Sequence, residues 1–252
     1  MKKTIQILAI LVTLGQCNLQ AFVLVHRGTN DPQSEPSPFY SGSQWLVGDG
    51  QAVFGSATND AGTLAWHIND TGTGGNDRLS FRDNFTAGSN YVKLQSQWNL
   101  IFTLKINSAG DVVGNPSTPN DLTVLLNPTN STGNVRRYNI RLGQNGSDAA
   151  VSLGGLGSFY VTGAGSGFHT WQLTRTNPAT DTAQLYVDNL FVTNYAGFND
   201  SAFPLLSWGT TSGSGITSSE WALVYLEVPE PSTLGAVAMT AVLGLVFRRR
   251  IS

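Results

Sequence analysis

Two segments in the last third of the chain decide the fold: residues 168–176 read FHTWQLTRT and residues 183–195 read AQLYVDNLFVTNY. Apolar and polar side chains alternate with period two along both segments, which is the pattern of a half-buried strand and places Trp171 on the buried face. Asp188 and Asn189 interrupt the second segment, and both residue types tolerate positive φ better than most. The pattern predicts three strands, the last two joined by a two-residue hairpin turn.

The same alternation recurs upstream, along residues 99–107 and 135–142. Residues 221–228 are apolar on both faces, as expected of a strand buried inside a sandwich. No segment before the C-terminal tail carries a helical stripe. We therefore predict an all-β domain over residues 44–228, with two antiparallel sheets packed face to face. Residues 22–43 are rich in Pro and Ser, which predicts a loose N-terminal arm.

Composition and charge exclude several classes of protein. Charged residues make up 12% of the 252 residues, against a usual share of about 25%, which disfavours a helical bundle. The formal charge is −2, but Lys2, Lys3 and three C-terminal arginines lie in segments that we expect to be removed. Taking these five from the 14 basic residues leaves nine against 16 acidic ones, a net charge of −7. This excess of negative charge argues against binding nucleic acid.

The N-terminus, residues 1–21, has the features of a secretory signal peptide. Lys2 and Lys3 precede an apolar stretch at 5–14 that is too short to span a bilayer. Ala21 is a small residue at the expected cleavage position, so we predict export across the inner membrane with cleavage after Ala21. The single cysteine, Cys17, lies in this leader. A lipoprotein would need a small residue directly before this cysteine, and Gln16 occupies that position, which argues against a lipoprotein.

The C-terminus consists of Pro229-Glu230-Pro231, an uncharged apolar stretch to Phe247, and Arg248-Arg249-Arg250. Residues 232–247 are predicted to form one transmembrane helix, and the arginines orient it because positive flanks stay in the cytoplasm. These residues closely resemble the PEP-CTERM sorting signal, so residues 229–252 are interpreted as a sorting tail. The resemblance implies processing by an exosortase, a membrane cysteine peptidase, in a Gram-negative host that makes exopolysaccharide. The alternative is a plain tail anchor.

A second resemblance concerns the body of the chain. Residues 168–173 followed by 185–189 are similar to the concanavalin A-like, laminin-G-like jelly roll, in which a "His-x-Trp" strand precedes a "Tyr-Val-Asp-Gly" hairpin. Asn189 stands where the family commonly has Gly. Residues 206–209 and 221–225 resemble its last strands. The resemblance implies a sandwich of about a dozen strands, and many members of the family bind glycans while others are adhesive.

The sequence shows no recognisable catalytic apparatus. Its four glutamates do not form the Glu-x-Asp-x-x-Glu strand of the family's hydrolases: Glu35, Glu220, Glu227 and Glu230. It has no Gly-x-Ser-x-Gly elbow, and its three histidines, His26, His67 and His169, lack the spacing of metal ligands. We therefore predict that the protein is not an enzyme and needs no cofactor. Most of the six tryptophans are predicted to lie in the core, with Trp208 the most exposed candidate for sugar stacking.

Calcium is the one metal that the sequence leaves as an alternative. The candidate ligands are acidic and amide side chains in two Gly-rich loops: Asp70, Asn76, Asp77, Asn145 and Asp148. The competing interpretation, which we favour, is that these side chains cap their own turns.

The sequence thus predicts an exported, non-catalytic surface or matrix protein, structural or adhesive, with exosortase and extracellular polysaccharide as its partners. It would be anchored in the inner membrane until processed and then reside at the cell surface or outside the cell. The alternatives are a lectin-like carbohydrate-binding module, dependent on calcium or not, and a glycoside hydrolase.

Overall fold

The computed structural model describes residues 22–36, 45–47, 55–70, 80–84, 97–116, 121–128, 135–177, 179–200, 205–210 and 217–228. Residues Val23–Val228 make one compact unit. Sixteen strands are numbered in chain order: β1 Phe22–Arg27, β2 Leu46–Val47, β3 Gly55–Asp60, β4 Thr63–Asp70, β5 Ser80–Asn84, β6 Trp98–Ser108, β7 Leu122–Asn127, β8 Val135–Asn145, β9 Asp148–Leu153, β10 Gly157–Val161, β11 Phe168–Arg175, β12 Ala183–Val187, β13 Leu190–Tyr195, β14 Phe198–Asp200, β15 Leu205–Thr210 and β16 Thr217–Val228.

The strands form two eight-stranded antiparallel sheets. The first has the order β13-β12-β11-β6-β16-β4-β3, and β1 pairs with β16. The second has the order β10-β9-β8-β7-β15-β5-β2, and β14 pairs with β8. Strands that are distant in the sequence lie side by side, so the sheets depend on long-range pairing. The predicted all-β, two-sheet sandwich is confirmed.

The core lies between the two sheets and follows the predicted alternation. Every second residue along β6 is buried: Trp98, Leu100, Phe102, Leu104 and Ile106. All six tryptophans are buried, and Trp66, at 7%, is the most exposed of them. Trp208 is fully buried against Phe81 and Trp221, so it belongs to the core and not to a sugar-stacking surface.

The N-terminal segment differs from the loose arm predicted for residues 22–43. β1 is a full strand of the first sheet, and Leu24 and His26 on it are completely buried. His26 stacks on Trp208, and its Nδ1 lies 3.2 Å from an oxygen of Glu35. The backbone N–H of Arg27 donates to the same carboxylate. The Pro- and Ser-rich composition predicts a loop, but part of it forms a short 3-10 helix, Pro32–Ser34. This helix turns the chain so that Glu35 contacts β1. Residues 37–44 lie outside the described residues.

The predicted hairpin at Asp188 and Asn189 is confirmed. Val187 pairs with Leu190, which leaves two residues in the turn. Asp188 has φ +50° and Asn189 has φ +66°, the combination that a type I′ turn requires. Asn tolerates this left-handed conformation, which explains why it can stand where the jelly-roll family commonly has Gly.

Replacing Asn189 by valine is expected to destabilise the domain by about 1–3 kcal/mol, because a β-branched side chain is strained at positive φ. Asn189→Gly is the matched control and should be neutral or slightly stabilising, since glycine adopts this conformation freely. Urea unfolding of the two variants measures the difference. Equal midpoints for valine and glycine would contradict the turn assignment.

Candidate functional site

The sorting tail begins directly after the last strand of the sandwich. β16 ends at Val228, which is 2% exposed. Pro229, Glu230 and Pro231, the predicted transmembrane helix at 232–247 and the three arginines lie outside the described residues. Within the part of the chain that the structure describes, no helix is long and apolar enough to cross a membrane. The predicted signal peptide, residues 1–21, also lies outside the described residues.

The outer face of the first sheet carries a row of side chains that we call the aromatic row. Its five members lie on the adjacent strands β13, β12, β11, β6 and β16: Phe191, Tyr186, Gln172, Ile101 and Tyr225. Each is the register partner of the next, so all five project from the same face. Phe191 is 54% exposed, and the other four are partly exposed. The rings of Tyr186 and Phe191 meet edge to face at 5.7 Å.

A second row, which we call the polar row, lies beside the aromatic row on the same five strands. Its members lie two residues from the aromatic row on β12, β11, β6 and β16, and three residues from it on β13, where a bulge shifts the register. Its members are Asn194, Gln184, Thr174, Asn99 and Glu227. Asn99 Oδ1 accepts hydrogen bonds from Gln172 Nε2 at 2.9 Å and from the Thr174 hydroxyl at 2.5 Å. The Tyr186 hydroxyl donates to Gln184 Oε1 at 3.1 Å. These bonds tie the two rows together.

A charged group on the same face, the Lys105 cluster, spans the strands β6, β16 and β3. Lys105 Nζ lies 2.5 Å from Asp60 Oδ2 and 3.9 Å from Glu220 Oε1. Asn107 Nδ2 donates to Glu220 Oε1 at 3.0 Å. The hydrogen bond to Asp60 raises the pKa of Lys105 above its ordinary value, and the nearby charge of Glu220 acts in the same direction. The lysine thus neutralises part of the charge of two carboxylates.

Other acidic side chains of the described residues also pair with basic ones. Pairs join Asp121 to Arg141, Asp200 to Arg137, Asp181 to Arg175, Asp188 to His169 and Glu35 to His26.

Glycoside hydrolysis requires two carboxyl groups that flank the scissile bond. The structure places Glu35 in the core behind β1 and Glu220 in the Lys105 cluster, while Glu230 lies outside the described residues.

The side chains of His67 and His169 are both bonded to nearby residues, His67 to the adjacent strand β16 and His169 to two turns. His67 Nε2 lies 2.9 Å from the Ser218 hydroxyl. His169 Nδ1 lies 2.6 Å from Asp188 Oδ2, and its Nε2 donates to the Ser166 carbonyl at 2.8 Å.

Three of the five calcium candidates lie in the described part of the chain: Asn145 and Asp148 flank the same hairpin turn in the second sheet, and Asp70 lies in the first sheet. Among the described residues, no group of three or more His, Cys, Asp or Glu side chains could hold a metal ion. Asp70 is buried at the end of β4 and accepts a hydrogen bond from the Thr210 hydroxyl. Asn145 donates to Asp111, and Asp148 accepts from the Gly163 backbone. Asn76 and Asp77 lie outside the described residues. The hydrogen bonds of Asn145 and Asp148 therefore join separate segments of the chain and do not cap the turns in which these residues lie.

Asp111, which the sequence analysis did not single out, organises the loop after β6. The backbone N–H of Gly114 donates to its carboxylate, as do the Tyr160 hydroxyl, the Val113 N–H and the Asn145 amide, at 2.8–3.0 Å. These donors favour the ionised form and hold the pKa of Asp111 below its ordinary value, although partial burial acts in the opposite direction. Sequence spacing could not reveal the site, because its donors come from three separate segments.

Asp111 is expected to make the stability of the domain depend on pH. Because its pKa is lower in the folded state, its ionised form stabilises the fold above the unfolded pKa of about 3.9, and this stabilisation is lost as pH falls through the folded value. The difference in unfolding free energy between the native chain and Asp111→Asn should therefore be largest near neutral pH and shrink below about pH 4. Urea melts across this range measure it. A difference that stays constant down to about pH 3 would contradict the assignment.

The tail is similar to known proteins in sequence, and the body is similar to known proteins in structure. Residues 227–250 match the PEP-CTERM protein-sorting motif family. The chain carries a PEP-CTERM tail. This PEP-CTERM segment covers Pro229-Glu230-Pro231 and all three arginines, as the sequence analysis proposed. No curated protein matches the sequence.

The body is similar to solved β-sandwich structures. A carbohydrate esterase from the Shiga toxin-encoding bacteriophage phi24B shares 14% identity with a TM-score of 0.55, covering 83% of this chain and all (100%) of the other. A Bacillus licheniformis β-glucanase shares 13% identity with a TM-score of 0.47, covering 82% and 97%. The Crh5 transglycosylase shares 12% identity with a TM-score of 0.49, covering 83% and 85%. Likeness at such low identity concerns the fold alone, and the body is a sandwich of the jelly-roll type.

Proposed function

We propose that this chain is a non-catalytic surface or matrix protein that is exported, held in the inner membrane by its PEP-CTERM tail and then freed by exosortase. The observation that carries the proposal is the PEP-CTERM motif at residues 227–250, which follows the sandwich without a linker. A folded body on an anchored tail suits a protein that is delivered outside the cell as a finished structural or adhesive unit.

The pairing of acidic side chains supports a non-catalytic role. Acid–base catalysis on a glycosidic bond uses two carboxyl groups with different pKa values on either side of the substrate. In the Lys105 cluster the two carboxylates instead share one lysine, and five further acidic side chains pair with Arg or His. These arrangements stabilise the fold and leave the carboxylates engaged.

The net negative charge of the body supports an association with polysaccharide over one with nucleic acid. Nine basic residues against 16 acidic ones give a net charge of −7 once the leader and the terminal arginines are removed. A phosphate backbone would be repelled, whereas uncharged sugars would not.

Fractionation of the native host tests the proposal. The full chain should accumulate at the cell surface or in the extracellular matrix, whereas a variant that ends at Val228 should be lost from these fractions because exosortase cannot recognise it. An equal distribution of the two proteins would contradict exosortase-dependent sorting.

The second candidate function is a lectin-like carbohydrate-binding module. The observation that favours it is the aromatic row, which exposes Phe191, Tyr186 and Tyr225 on one sheet face beside the amides of the polar row.

A further inference from the structure

The two rows on the first sheet form a long, narrow surface. Neighbouring strands lie about 4.8 Å apart, so five positions in register extend about 19 Å from Phe191 on β13 to Tyr225 on β16. This length corresponds to several sugar rings of an extended chain. The row runs across the strands, so a ligand bound along it would contact all five strands at once.

The side chains along this surface fit sugar rings. The aromatic faces of Tyr186 and Tyr225 carry the negative potential that attracts the C–H groups on the apolar face of a pyranose. The polar row supplies groups that both donate and accept hydrogen bonds, as sugar hydroxyls require. In the hydrogen bond between these two amides, Nε2 of Gln172 donates and Oδ1 of Asn99 accepts, and Oδ1 also accepts from Thr174. The second polar atom of each amide is an acceptor on Gln172, Oε1, and a donor on Asn99, Nδ2.

Charge selects the class of polysaccharide. Of the ten residues in the two rows, only Glu227 carries a formal charge. No cation lies in either row, and the body as a whole is acidic. A uronate- or sulfate-bearing polymer would meet no positive group within either row. The nearby cations are Arg27, which interacts with Tyr225 at one end, and Lys105, which is already paired with Asp60 and Glu220.

We propose that the aromatic row and the polar row bind a neutral polysaccharide chain that lies across strands β13, β12, β11, β6 and β16. Sugar rings stack on Tyr186 and Phe191 at one end and on Tyr225 at the other, and hydroxyls bond to the amides between them. The inference rests on the proposed association of the body with extracellular polysaccharide and gives it a site and a ligand class.

Binding of soluble polysaccharides to the purified full chain in detergent tests the inference. The probes are three neutral polymers, dextran, galactomannan and hydroxyethyl cellulose, and one anionic polymer, alginate, each measured by affinity electrophoresis and calorimetry. The native chain should bind at least one neutral polymer and bind alginate more weakly. Tyr186→Ala should weaken binding about tenfold, the loss of one stacking contact.

Tyr160→Ala is the matched control, because Tyr160 is 41% exposed on β10 of the other sheet, and it should leave binding unchanged. Phe191→Ala, at an exposed position on an outer strand, provides a second variant that removes aromatic surface if Tyr186→Ala fails to fold. The inference is overturned if no neutral polymer binds, if alginate binds more tightly, or if the row variants bind like Tyr160→Ala. Because the assay needs no exosortase, its failure is distinct from a failure of sorting.

Discussion

Trp171→Ala is expected to unfold the sandwich or to lower its free energy of unfolding by about 3–5 kcal/mol, through lost apolar burial and the cavity left behind. Trp171 is 1% exposed at the centre of β11, where its register partners are Val187 and Phe102. Its ring lies parallel to that of Phe102, with centroids 6.2 Å apart. The predicted loss is a large part of the roughly 5–15 kcal/mol that stabilises a typical domain.

Urea unfolding measures this effect, and Gln172→Ala serves as the control. Gln172 is the next residue on the same strand and faces outward, so its removal should cost only its hydrogen bond to Asn99, about 0.5–1.5 kcal/mol, well below the loss expected for Trp171→Ala. A midpoint for Trp171→Ala equal to that of the native chain would contradict the core assignment and would move Trp171 to the list of candidate binding residues.

The second large effect concerns the sorting motif. Simultaneous Pro229→Ala, Glu230→Ala and Pro231→Ala substitutions are expected to abolish removal of the tail, because exosortase recognition depends on this motif in the PEP-CTERM family. The tail-bearing chain should then stay in the inner membrane. Ser232→Ala, directly after the motif, is the matched control and should be processed normally. Immunoblots of membrane and extracellular fractions measure the outcome. Normal processing of the triple variant would show that the motif is not recognised.

The sequence predicted strands and turns where local patterns determine them. The alternation around Trp171 and the Asp188-Asn189 turn depend on neighbouring residues, and the structure confirms both. β1 carries a local signal, the apolar run of residues 22–25, but the Pro- and Ser-rich stretch after it indicates a loop, and its partner β16 is about two hundred residues away in the chain. The burial of Glu35 against His26 was hidden for the same reason, since it depends on that long-range pairing.

The candidate site was even less accessible from the sequence. Alternation along residues 99–107 predicts which positions face outward, but strand order and register decide which of these positions become neighbours. The aromatic row joins five strands that are scattered between residues 98 and 228. The partnership of Lys105 with Asp60 and Glu220 likewise depends on the order β6-β16-β4-β3.

The mass of the mature protein recovered from its native host tests the central claim most directly. Intact-mass spectrometry with C-terminal peptide mapping reports where the chain ends. Our account predicts that the apolar stretch 232–247 and Arg248, Arg249 and Arg250 are absent while the sandwich through Val228 is retained. Recovery from the cell envelope of a chain that is intact through Ser252 would contradict it.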